Sequence, residues 1–137
     1  MKKINTKYKI FSLICLILFS VEIYASVAQT LLEKFEKETG KTFSAEKGKE
    51  FFEQKNPKTG MACVSCHNRN IKKPGKQEVL FGLFDIEVPA LSVSANKKVF
   101  QSTKKVLKEL DNYCEKVRER VCTSEEKGNL IMYFISN

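Results

Sequence analysis

Apolar positions in this chain fall mostly at helical spacing, and the exceptions mark where it does something else. The first exception is an apolar run from Ile10 to Val21, at 12 residues too short to cross a bilayer as a helix. Beyond it, Val27, Leu31, Leu32 and Phe35 stand at i, i+4, i+5 and i+8. That spacing predicts a helix from Val27 to Glu38, stopped by Gly40. Ser44 is placed to cap a second helix that runs to about Gln54 and buries Phe51 and Phe52. A polar loop from Asn56 to Gly60 follows, with Pro57 helping to end the helix before it. From Ile71 to Ala95 the pattern is broken by Pro74-Gly75, Gly82 and Pro89, and at most one short strand fits between Val79 and Val88. A third helix covers roughly Ser102 to Tyr113, with Val106, Leu107 and Leu110 as its stripe. Thr123-Ser124-Glu125-Glu126 opens a last helix with a capping-type start, and the apolar residues Leu130 to Ile135 complete it. The pattern holds no repeat, and it describes one all-α domain around one core.

The beginning of the chain changes the picture of where it works. Lys2, Lys3, Lys7 and Lys9 precede the apolar run, and Ala25, Ser26 and Ala28 follow it. Basic, apolar and small-residue regions in that order make a secretory signal peptide. Residues 1–25 are read as that signal, with cleavage after Ala25 or after Ala28 both compatible, and 26–137 as one domain. An uncleaved anchor is the other reading; after cleavage no stable membrane insertion is expected. Cys15 follows Ile14 rather than the small residue a lipoprotein site needs, so it belongs to the apolar region of the signal.

Charge then needs correcting for export. The full chain carries 24 basic and 16 acidic residues, a net +8. Residues 1–25 hold four lysines and Glu22, which leaves 20 against 15, or +5. So modest an excess does not make a nucleic-acid protein. It suits docking onto an acidic redox partner, where charge mainly speeds encounter, or serves solubility alone. The loop lysines Lys72, Lys73 and Lys76 are the first guess for such a surface.

The chemistry is concentrated in Cys63-Val64-Ser65-Cys66-His67, whose histidine is the only one in 137 residues. A C-x-x-C-H run is the attachment site of a c-type haem. The two thiols add across the vinyl groups, and the adjacent imidazole serves as proximal iron ligand. Structural zinc needs four Cys/His ligands, usually in two pairs, and the sequence has no second pair and no second histidine. A thioredoxin-like motif belongs in a βαβ context that this pattern lacks. One covalently bound haem c on Cys63, Cys66 and His67 is therefore expected.

Cys114 and Cys122 remain. In an oxidising compartment a leftover pair most simply forms a disulfide, the alternative being two free thiols. Seven residues separate them, which in a continuous helix holds the α-carbons too far apart for a bridge. A bridge therefore predicts a break between them, with Cys122 just before the last helix.

Gly48 and Phe52, four apart before the haem motif, and Leu130-Ile131-Met132-Tyr133-Phe134 near the end resemble a class I cytochrome c. In that fold a Gly-x-x-x-Phe helix crosses a terminal Leu-Ile-x-Tyr-Leu helix so closely that only glycine fits. Pro89 lies where such proteins present a backbone carbonyl to the proximal imidazole. From about Gln29 to Ile135 the chain is similar to a narrower group, the oxygen-binding cytochromes typified by sphaeroides haem protein. The carrying residues are the extra N-terminal helix, Ile86 to Leu91, Asn96 to Phe100, and Cys114 and Cys122-Thr123 with Glu126-Lys127. The resemblance implies a class I fold with an added N-terminal helix and a disulfide at this cysteine pair. It also implies a labile asparagine ligand just before the first of those cysteines, which leaves on reduction so that small gases can bind.

Here the pattern departs: Tyr113 precedes Cys114, and asparagine comes one residue earlier as Asn112. On a helix the two point about 100° apart, so only one of them can face the iron. A methionine ligand is not expected, since Met61 lies two residues before Cys63 and Met132 sits in the apolar run of the last helix. The resemblance thus implies a small electron carrier with a weak or open sixth iron position, partnered by another cytochrome or redox protein and able to take O2, NO or CO. An ordinary six-coordinate carrier is the alternative. A peroxidase-like enzyme, with Glu109, Asp111 or Tyr113 as distal acid or base, is the least supported reading.

Overall fold

The computed structural model describes residues 27–80 and 82–137; the signal expected over residues 1–25 lies outside them. Helix α1 spans residues 27–39 and α2 spans Ala45–Glu53. A single 3-10 turn, Cys63–Ser65, carries the haem motif. Strands β1 (Gly75–Val79) and β2 (Phe84–Val88) follow, then α3 (Thr103–Arg118) and α4 (Ser124–Ile135). Among the described residues no helix is long and apolar enough to cross a membrane.

The expected stripes are the core. Ala28, Leu31, Leu32 and Phe35 of α1 are buried, together with Phe52 of α2, Val106 and Leu110 of α3, and Leu130, Ile131, Tyr133 and Phe134 of α4. Gly40 ends α1 at a φ of 68°, a left-handed conformation that glycine adopts without penalty.

The α2–α4 crossing organises the rest. Gly48 lies against the α4 backbone: a Cβ there would meet the Asn129 carbonyl and stand 2.8 Å from Tyr133 Cβ. Asn129 also reaches across, its Oδ1 accepting the Ser44 N–H at 2.8 Å at the start of α2. Ser44 itself caps α2, as its place in the sequence suggested, by accepting from the Lys47 N–H.

Helix α4 starts on a full capping box. Thr123 Oγ1 accepts the Glu126 N–H at 3.2 Å, and Glu126 Oε2 accepts the Thr123 N–H at 2.8 Å. Arg120 grips the same carboxylate at 2.6 and 2.8 Å, and this hydrogen bond holds the Glu126 carboxyl below its usual range. The stabilisation is present at neutral pH and is lost in acid, as pH falls through the lowered value.

Two features differ from expectation. Helix α3 continues five residues past Tyr113, because the buried stripe of Val106 and Leu110 runs on through Cys114 and Val117 with no glycine or proline to stop it. The break falls at Glu119, in the left-handed conformation at φ 57°. It brings Cys122 back to Cys114 at 5.5 Å between α-carbons, and the two form a disulfide. The stretch from Ile71 to Ala95 holds an antiparallel hairpin of two strands, not at most one, pairing Gly75 with Val88 through Val79 with Phe84. Leu80 at φ 51° and Gly82 at φ 84° make its turn. The domain remains helical, with this ribbon added. Register places Gln77, Val79, Phe84, Ile86 and Val88 on one face. Its outer end, with Phe84 and Ile86, is exposed.

Candidate haem site

The 3-10 turn converts a linear motif into a cluster. The His67 N–H donates to the Cys63 carbonyl at 3.0 Å and the Cys66 N–H to the same oxygen at 3.3 Å. Ser65 Oγ accepts the Ala62 N–H at 3.0 Å and closes the turn from its other side. The base of the hairpin is pressed against this backbone: a Cβ on Gly75 would collide with the Cys66 carbonyl and come within 2.7 Å of His67 Cα. Both Cys63 and Cys66 are free thiols on the wall of a cavity of about 480 Å³. That volume is in the range of small-molecule and cofactor sites.

His67 is buried in that wall, its ring 6.2 Å from Phe52 and 5.4 Å from Tyr113 between centroids. Burial lowers its pKa to about 4, with the Pro89 carbonyl opposing the shift. The ring is therefore neutral at pH 7, the form that binds a metal. Nδ1 is shut away from water without a hydrogen-bond partner. Pro89 lines the same cavity as His67, and its segment is pinned where Asn96 Nδ2 donates to the Ala90 carbonyl at 2.9 Å. Burial raises the Cys63 thiol, and the Arg118 charge pulls it back down.

The distal candidates separate cleanly in space. Tyr113 lines the cavity edge-on to His67, with its phenol pKa raised by burial and then by Glu109. Asn112 is exposed and lines none of it. Met61 is on the cavity wall, whereas Met132 packs against the core and is not. Of the acids, Glu109 reaches the cavity and Asp111 is taken by Lys127 at 2.5 Å. Lys76, among the loop lysines, faces Asp85 at 3.6 Å, while Lys98 and Lys105 stand on the cavity wall.

Arg118 and Gly75 are the site residues that pattern reading missed. Continuing the α3 stripe past Tyr113 puts Arg118 within about 40° of Cys114 on the helix. Gly75 carries no signal in one sequence beyond looking like a turn.

Residues 38–134 match the family model described as a domain of unknown function, DUF1924. The chain belongs to the DUF1924 family. No curated protein sequence matches it. Among solved structures, this DUF1924 protein is similar to oxidised SHP, described as an oxygen-binding cytochrome c. The TM-score is 0.68 and the identity 26%, over 80% of this chain and 96% of that one. It is also similar to oxidised cytochrome c'' from Methylophilus methylotrophus, at TM-score 0.69 and 27% identity, over 85% of this chain and 96% of that one. A solution structure of the same cytochrome c'', concerned with haem-ligand detachment, matches at 0.66 and 29%, over 80% and 93%.

These likenesses make the DUF1924 chain a class I c-type cytochrome of the sphaeroides haem protein kind, and haem c is its cofactor. The residues present fit that group. Two free thiols and a neutral imidazole line a cavity whose walls include the apolar side chains of Phe52, Leu110, Leu130 and Phe134.

Proposed function

We propose that this chain is an exported monohaem cytochrome whose sixth iron position is open or weakly held, exchanging electrons with a redox partner and able to take O2, NO or CO. When bound, the haem supplies an iron that changes charge by one electron and accepts a diatomic gas. Cys63 and Cys66 would hold it covalently and His67 would give the iron a nitrogen, with Pro89 on the same cavity wall.

The observation that carries the reading is the placement of Tyr113. It is the residue immediately before the disulfide cysteine and it lines the same cavity as His67, whereas Asn112 is exposed to solvent. Its raised pKa keeps the phenol protonated at pH 7, so it offers the site a hydrogen-bond donor and a poor ligand. Nothing in this arrangement supplies a distal histidine base, so the chain reads as a carrier or gas binder, not an enzyme.

An acidic protein is the partner that the surface favours. Lys98 and Lys105 stand at the cavity, with Lys97, Lys104 and Lys108 beside them in sequence. Such a basic edge steers an acidic protein toward the haem and mainly raises the association rate.

Absorption spectra of the exported, haem-loaded protein test the reading. The reduced form should be high-spin and should shift with carbon monoxide. Tyr113→Phe should alter the oxidised spectrum and change carbon monoxide affinity by about tenfold, the scale of one lost hydrogen bond, while Asn112→Ala leaves both unchanged. A reduced spectrum that is low-spin and indifferent to carbon monoxide would instead mean a strong sixth ligand and an ordinary electron carrier.

A further inference from the structure

The hairpin carries most of the hydrophobic surface that the fold leaves uncovered. Of the seven large hydrophobic side chains exposed among the described residues, four lie on it or its turn: Leu80, Leu83, Phe84 and Ile86. Its base is fixed, because Gly75 lies directly on the backbone of Cys66, His67 and Asn68. Beyond that base the ladder between β1 and β2 holds it, and among the described residues no backbone hydrogen bond reaches either strand from outside the hairpin. Both outer edges are open. A ribbon of two strands is marginal by itself, whereas three or more strands with an apolar face are stable. An open edge is a template for another strand.

Charge tells the two edges apart. Paired antiparallel with its own copy about Ile86, its central residue, β2 sets Asp85 opposite Glu87 twice. Paired in the same way about Gln77, β1 sets Lys76 opposite Glu78 twice. A shift of one residue either way puts Lys76 against Lys76, or Glu78 against Glu78. Opposite charges across a pair of strands attract, and like charges directly opposite are destabilising. Glu78 lacks such a partner within its own chain. It stands opposite Asp85, while Lys76 is opposite Glu87 and lies 3.6 Å from Asp85. Among the described residues Glu78 enters no ion pair.

We infer that two copies of this chain associate by pairing their β1 edges antiparallel about Gln77, with Lys76 of each copy opposite Glu78 of the other. The sheet then has four strands, with β2 of each copy outermost. One face gathers Val79, Phe84 and Ile86 from both copies, and the other is charged. Gly75 of one copy lies opposite Val79 of the other, so the two contacts with haem-motif backbone are about 14 Å apart along the strands. Two haem sites thus share one sheet, whatever occupies the sixth iron position. Strands of five residues bury little area, so the dimer is weak and depends on concentration.

Sedimentation equilibrium of the haem-loaded protein, followed at the haem absorbance, tests this. The apparent mass should rise from one chain toward two with concentration and fall back in high salt. Glu78→Lys is the deciding variant. It removes the like-charge pair with Asp85, so the hairpin itself gains, yet it sets lysine against lysine twice between the copies. The dissociation constant should rise at least about tenfold. The double variant Lys76→Glu/Glu78→Lys leaves one like and one opposite pair in the hairpin, as in the parent, and restores both pairs between copies. It should recover the parent association. A parent that stays monomeric up to about 1 mM overturns the inference, as does a dimer that Glu78→Lys leaves intact. Monomers that float with phosphatidylglycerol vesicles would assign the exposed turn to a lipid surface, which also overturns it.

Discussion

Gly48→Ala should leave almost no folded, haem-loaded protein. The added carbon would land on the Asn129 carbonyl and 2.8 Å from Tyr133 Cβ, and both are parts of a helix that cannot rotate away as a flexible side chain would. Relief requires α2 and α4 to separate. That motion loosens Phe52 and Ile131, both fully buried, and pulls the Asn129 amide from the Ser44 N–H at the start of α2. Overpacking in a core costs about 1–3 kcal/mol even where side chains can adjust, and here backbone must move. A domain of this size has about 5–15 kcal/mol in total, so the loss takes a large share. It also falls on the helix that carries Phe52, a wall of the haem cavity. Haem absorbance per milligram and thermal unfolding by circular dichroism measure the effect. A variant with parent-like haem content and a midpoint within a few degrees would show that the two backbones are not in real contact.

Removing the disulfide should be the next largest change. Cys114 and Cys122 are eight apart in sequence, and closing so short a loop restrains the unfolded chain by about 2.5 kcal/mol on the chain-entropy account. For a domain of roughly 110 residues that lowers the midpoint by about 10 °C. The bridge also has a local job. It fixes the end of α3 against the start of α4, one residue from Tyr113. The double variant Cys114→Ser/Cys122→Ser should therefore change the oxidised haem spectrum as well as stability, whereas a cavity mutation far from the site would change stability alone. Retention of the parent spectrum at 25 °C, with only the midpoint moved, would separate the bridge from the haem.

The helices were legible because their signals are local. The stripes of α1 and α4 repeat every three or four residues, and Gly40 and the Thr123 capping box mark an end and a start. The haem motif was legible because covalent chemistry fixes both residue types and spacing. The hairpin was not. Only β2 alternates, with Phe84, Ile86 and Val88, while β1 offers Val79 and little else, and the glycines flanking them look like breakers until pairing is known. The choice between Asn112 and Tyr113 also needed a reference point. Cys114, buried through its bridge, supplies it. Counting back at about 100° per residue puts Tyr113 on the flank of the buried face and Asn112 on the far side.

The turn of α3 that carries Tyr113 is fastened on both sides: Asp111 is held by Lys127 of α4, and Cys114 is bonded to Cys122 just before that helix. A residue mounted between two such clamps cannot change its reach by sliding or unwinding its helix. Only its own χ angles are free. Motion of Tyr113 within the cavity therefore falls to its side chain, and amide protection along α3 is expected to be the same in both oxidation states.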